Sequence, residues 1–233
     1  MNENTIPQSR NSVTDQGGVA DRIAQRALAS RGAHYATEVR ALLDAALEVM
    51  RARGTASRPR VADIVAAAGL SNEAFYRHFR SKDALVAALM EDGAERLCGY
   101  LAHQMAKEPT PQGKVRRWVE GVLSQARDED TAATTLAVMW NAGTVAEGFL
   151  AGPPTAAGLL ATLLREPYAE LGSADPDLDA SLAAHATVGR LADHLWRRDR
   201  PSAADVDHIT RFLLRTVDQE VGRMKGTDQE VGP

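Results

Sequence analysis

Cysteine is all but missing: Cys98 stands alone among 233 residues. No intrachain disulfide can form, which sets aside the disulfide-stapled secreted scaffolds and fits a reducing cytoplasm. Nothing near Cys98 would activate a thiolate, so it reads as a small buried hydrophobe. Aromatic residues are scarce at 5%. Long apolar runs are absent too. The longest charge-free stretches, 131–146 and 148–164, are short for a bilayer span, and Gly152-Pro153-Pro154 interrupts the second. The first ten residues are polar and carry no apolar core segment, which argues against a secretion signal. His185, His194 and His208 lack metal-ligand spacing. Asp175-Pro176-Asp177-Leu178-Asp179 begins like a calcium loop, but Ala180 and Ala186 stand where its glycine and closing glutamate belong. No glycine-rich phosphate cradle and no nucleophile setting is present. The expectation is a cytoplasmic protein with no membrane partner, no metal, no cofactor and no catalytic site.

What is present is ordinary soluble material: 44% apolar and 25% charged residues, enough chain for one or two domains with a real core. The net charge of −4 is unevenly spread. Residues 31–90 hold nine Lys/Arg against six Asp/Glu, and residues 91–233 hold fifteen against twenty-two. A locally basic segment in an acidic chain suits a polyanion partner for that segment alone. Strand alternation and hairpin turns are missing, whereas three- and four-residue apolar spacing recurs. The chain is predicted to be all-α, with about nine helices. After a polar stretch at 1–18, residues 19–31 read as a short helix ended by Gly32, or as a basic arm. Helices follow at 37–53 (capped by Thr37 and closed by Gly54), 61–68, 72–78 and 82–107. Others are predicted at 111–127, 131–147, 155–171, 176–198 and 202–223. Thr110-Pro111, Asp175-Pro176 and Ser202 with Asp205 supply start signals for three of them.

The stretch 61–82 carries the most specific pattern. Ala66, Ala67 and Ala68 give a small surface for steep helix packing, Gly69 permits the left-handed turn, and Ser71 can cap the next helix. Ile64, Leu70, Phe75 and Phe79 point to a core shared with Leu43, Leu47 and Met50. Asn72, Glu73, Tyr76, Arg77 and His78 are left facing outward, as a helix inserted in a DNA groove requires. Lys82 opens the following helix, where its charge and the N-terminal amides suit a phosphate.

Residues 37–90 resemble the DNA-binding domain of the TetR family of bacterial regulators. The resemblance lies in Ala41–Leu47 of the first helix, Gly54, Val61-Ala62-Asp63-Ile64, Ala68-Gly69-Leu70-Ser71, Phe75-Tyr76, His78-Phe79 and Ser81-Lys82-Asp83-Ala84-Leu85. It covers about a quarter of the chain, and the later helices agree with the family only in number, length and order. It implies a homodimer of subunits with a three-helix DNA head and a larger helical effector and dimerisation domain. The last two long helices, at about 176–198 and 202–223, would form the dimer bundle. Tyr76 and Lys82 match the usual phosphate contacts, and His78 a position that often assists. Asn72, Glu73 and Arg77 fall where bases or adjacent phosphates are read; for Arg77, guanine and phosphate remain equal alternatives. The chain departs from the family where a threonine usually opens the first reader helix. Val61 stands there, after Arg58-Pro59-Arg60, leaving Arg58 or Arg60 to substitute electrostatically.

Trp118, Met139, Trp140, Asn141, Phe149 and Tyr168 fall in the predicted second-domain helices, where they line an effector pocket or simply fill the core. The resulting division is a flexible extension at 1–36, a DNA-binding domain at 37–82, an effector and dimerisation domain at 83–223 and a flexible tail at 224–233. The expected function is a ligand-responsive transcriptional regulator. It would be a repressor released from a near-palindromic double-stranded operator by a small apolar effector. An all-helical ligand-binding or interaction protein without DNA binding is the alternative.

Overall fold

The computed structural model describes residues 18–142 and 156–227, with side-chain environments as far as Arg215. Among these, every regular element is helical: ten α-helices and two short 3₁₀ turns. They are α1 (Val19–Arg53), α2 (Val61–Ala68), α3 (Asn72–His78), α4 (Lys82–Met105), α5 (Pro111–Leu123), α6 (Glu129–Ala142), α7 (Ala156–Ala161), α8 (Arg165–Glu170), α9 (Pro176–Arg197) and α10 (Ala203–Thr227). The all-α class and the N-terminal helix-turn-helix are thus those expected. Two units are distinguished, Met1–Arg40 and Ala41–Pro233.

The described part of the first unit is helix. The expected break at Gly32 does not occur, because α1 continues through it. A single glycine inside a helix costs only about 1 kcal/mol, and nothing crowds this one. Thr37, expected to cap a helix start, sits mid-helix. Its Oγ1 donates back to the Ala33 carbonyl at 2.9 Å, the ordinary solution for a threonine inside a helix.

In the second unit, the helix ends follow the local chemistry. Gly54 closes α1 with a left-handed φ of 53°, its N–H donating to the Met50 carbonyl. Thr110 Oγ1 accepts from the Gly113 N–H at 3.1 Å ahead of Pro111, and Asp175 accepts from the Leu178 N–H at 3.0 Å ahead of Pro176. Ser202 and Asp205 form a reciprocal capping box: the carboxylate accepts from the Ser202 N–H at 2.8 Å and the hydroxyl from the Asp205 N–H at 3.2 Å. The segment read as one helix over 155–171 is broken into α7, a 3₁₀ turn (Thr162–Leu164) and α8. Pro167 supplies the reason, since it lacks the N–H that a continuous helix would donate to Leu163 and its ring crowds that carbonyl.

The larger core lies among α4, α5 and α7–α10, around Leu101, Val115, Trp118, Val122, Leu164, Tyr168 and Ala184. Trp118 is fully buried, and its Nε1–H donates to the Leu160 carbonyl at 3.1 Å. Gly121 lets α4 and α5 approach: a Cβ there would come within 2.2 Å of Leu101 Cδ2. Cys98 packs half-buried against this core, where burial, with Glu95 adding, pushes its thiol above the usual range. No helix of the described residues is long and apolar enough to cross a membrane.

Candidate nucleic-acid interface and effector cavity

The head is built on a small core. Ile64 from α2 and Phe75 from α3 are fully buried with Leu42, Ala46 and Met50 of α1 and Leu85 of α4. Phe79 is nearly so, its ring 5.8 Å from that of Phe75. Leu47 and Leu70, expected in the same core, are half-buried at its edge. Between α2 and α3, Gly69 adopts φ 66°, and the Leu70 N–H donates to the Val65 carbonyl at 2.9 Å. A side chain at Gly69 would meet no atom; the left-handed backbone is what calls for glycine. Ser71 Oγ accepts from the Ala74 N–H at 3.1 Å and caps α3; Ser81 caps α4 through Ala84 in the same way.

This packing presents one face of α3. Ser71, Asn72, Glu73, Tyr76 and Arg77 are exposed, His78 and Lys82 half-exposed. Tyr76 is 59% exposed although aromatic, and its ring stands edge-on to Phe75 at 5.2 Å. An aromatic side chain braced on one neighbour and otherwise exposed is accessible to a partner. With Lys82 at the start of α4, the face offers a cation, several neutral donors and an arginine fork. That set suits phosphate oxygens and the acceptor atoms of base edges.

Arg58 and Arg60, which flank Pro59 before α2, have different fates. Arg60 folds back on Asp63, with Nε and Nη2 at 3.2 and 3.3 Å from its carboxylate, while the Arg60 N–H caps the same group at 3.2 Å. Arg53 reaches Asp63 from α1 at 2.7 Å and also donates to the Arg58 carbonyl at 3.2 Å. Hydrogen bonds from the Arg60 side chain, assisted by Arg53, hold the Asp63 carboxyl below the usual range. Asp63 thus ties down the start of α2 by accepting from the Arg60 N–H. The Arg58 guanidinium lies over the Trp140 ring, 5.6 Å from its centroid.

A cavity of about 530 Å³ opens among α1, α4, α6, α7 and α9. Leu89, Leu97, Met139, Leu160 and Leu191 give it apolar walls; Thr131, Thr134 and Thr135 set a row of hydroxyls along α6. Arg51, Asp92, Arg96 and Asp130 bring charge to it, Arg96 being paired with Asp92 at 2.6 Å. Of the six residues that the sequence pattern pointed to, Met139 lines this space. Trp118 and Tyr168 lie in the core; the Tyr168 hydroxyl is directed at the Leu213 carbonyl, and burial pushes it well above the usual phenol range. Asn141 is buried, its amide donating to the Ala137 carbonyl at 2.8 Å. Trp140 faces Arg58, and Phe149 lies outside the described residues. The threonine row was missed because it belongs to no motif, although its spacing of three and four along α6 places it on one face.

Residues 42–89 match the model of the bacterial regulatory proteins, tetR family. No curated protein matches the chain. Solved structures share its fold. A TetR-family transcriptional regulator from Pectobacterium atrosepticum is 22% identical, with a TM-score of 0.54 over 80% of this chain and 93% of its own. The fatty acid degradation regulator FadR from Bacillus halodurans is 19% identical, with a TM-score of 0.52 over 76% and 94%. RolR, solved in complex with the ligand resorcinol, is 16% identical, with a TM-score of 0.56 over 79% and 89%.

Proposed function

We propose that this chain, whose residues 42–89 belong to the TetR family of bacterial regulatory proteins and whose fold is that of its regulators, is a cytoplasmic, ligand-responsive repressor. The observation that carries the reading is the exposed α3 face braced on Phe75. In this reading Tyr76 and Lys82 hold phosphates with help from His78 and Ser71, and Asn72, Glu73 and Arg77 meet base edges or the next phosphates. Residues 37–82 act as the head, 83–223 as the effector and dimerisation domain.

A dimer is supported by apolar side chains left uncovered on the last two long helices. Leu178, Leu182 and Trp196 of α9 and Phe212 of α10 are each more than half exposed. Such side chains in solvent are the mark of a face that awaits a partner. Two heads held by that bundle would reach half-sites about 34–36 Å apart on a near-palindrome. The effector binds in the α4–α6 cavity, and its class follows from the lining: a small apolar body with a hydroxyl or similar group that the threonines can bond. RolR, with its resorcinol, sets a precedent on the same fold. A ligand that prefers the subunit arrangement with misfitting heads releases DNA by shifting populations.

Fluorescence anisotropy with labelled duplexes tiling the upstream region of its own gene tests the first half. The expected result is tight binding to one near-palindromic duplex by a dimer, lost on addition of a cavity ligand found by thermal-shift screening of small phenols. Absence of salt-dependent duplex binding by a folded dimer would end the DNA-regulator reading.

A further inference from the structure

Arg58 sits on the reading head but spends its charge elsewhere. Its backbone is fixed by Arg53, which donates to the Arg58 carbonyl at 3.2 Å while bonded to Asp63 at the start of α2. Its guanidinium is exposed and lies over the half-buried Trp140 of α6. The loop and α6 also border a second cavity of about 450 Å³, whose lining includes Thr55, Ala132 and Leu136 together with His194 and Leu195 at the end of α9. Arg58 therefore bridges to a helix that does not belong to the head. That helix also forms the hydroxyl-bearing wall of the larger cavity, and Val138 and Met139, which line it, immediately precede Trp140.

We propose that Arg58 is a DNA-phosphate contact held in reserve on Trp140, so that α6 sets how readily the head can use it. A guanidinium stacked on an indole gains little at an exposed site, about 0.5–1 kcal/mol, which corresponds to a factor of about two to five in an equilibrium. A charge-assisted contact to a phosphate matches or exceeds that, so the side chain can leave the ring for DNA at modest cost. Binding DNA takes Arg58 off the ring. A ligand packed against Thr135, Val138 and Met139 acts on the same helix, and any turn of α6 that improves the stack makes DNA more costly to bind. The proposal rests on the DNA-binding reading above and adds to it a control element that the head alone does not contain.

A double-mutant cycle on full-length protein tests it, with one labelled duplex from the upstream region and affinities measured across a salt series. Trp140→Leu should tighten binding by about two- to five-fold when Arg58 is present and have no effect beside Arg58→Ala. Trp140→Phe, which keeps the ring shape with a weaker face, should give a smaller gain; it also stands in if the leucine variant fails to fold by circular dichroism. Arg58→Ala should lower the salt slope by about one in either background. Weaker binding by both Trp140 variants, equal effects with and without Arg58, or an unchanged salt slope for Arg58→Ala would overturn the proposal while leaving the regulator reading intact. Failure of the wild-type protein to bind any duplex would remove both.

Discussion

The reading head and the helical bundle use their residues in opposite ways. In the head a few buried side chains, Ile64, Phe75 and Met50 among them, serve to present polar ones, and the chemistry lies in which residues stand at which positions. In the bundle two large side chains, Trp118 and Tyr168, are themselves buried as core, and the chemistry lies in the space left between helices. In the function proposed above, the difference follows from the partners. DNA presents the same phosphate spacing to every reader, so a head converges on fixed residues at fixed offsets. A small molecule can be held by many combinations of walls, so a cavity leaves no common signature.

The comparison breaks most severely under loss of a core aromatic. Trp118→Ala in the bundle and Phe75→Ala in the head should each cost about 3–5 kcal/mol, measured by urea unfolding. If the two regions are distinct in role, a folded remnant of Phe75→Ala should lose DNA while still binding cavity ligands. Equal loss of both activities would show that head and cavity do not separate.

Overpacking gives the next largest effect. At Gly121 the incoming methyl would collide with Leu101, so Gly121→Ala should destabilise by about 1–3 kcal/mol despite alanine's better helix propensity. At Gly93, which lines the cavity with open space around it, Gly93→Leu should instead hold or raise the melting temperature. It should abolish ligand-induced thermal shifts and leave duplex affinity unchanged. Retained ligand binding would mean that the effector lodges elsewhere.

The smallest contrast concerns two hydroxyls that look alike in sequence. Ser71 caps α3 and Thr37 bonds back within α1. Ser71→Ala should cost about 1 kcal/mol, and Thr37→Ala should fall within about 0.5 kcal/mol of neutral, by chemical denaturation.

Legibility followed the same division. The head could be read because Gly69, Ser71, Phe75 and Tyr76 each do one physical job at one offset, and α2 and α3 begin and end where those jobs require. The caps at Thr110, Asp175 and Ser202 were equally local. Gly32 and Thr37 misled because the same residues that stop or start a helix are tolerated inside one. The break before Pro167 was visible in principle, but the apolar spacing on either side concealed it. The cavity stayed hidden for a deeper reason: Trp118 and Trp140 are conspicuous in sequence, yet one fills the core and the other carries an arginine. The lining falls to threonines and leucines that only the packing of five helices brings together.

The central claim, that the α3 face and the start of α4 bind DNA through phosphates, is tested most directly at Lys82. Duplex affinity of wild type and Lys82→Ala should be measured from low to physiological salt on the upstream duplex and on an unrelated one. The predicted result is weaker binding to both duplexes and a log–log salt slope shallower by about one. Unchanged affinity and slope on both would contradict it.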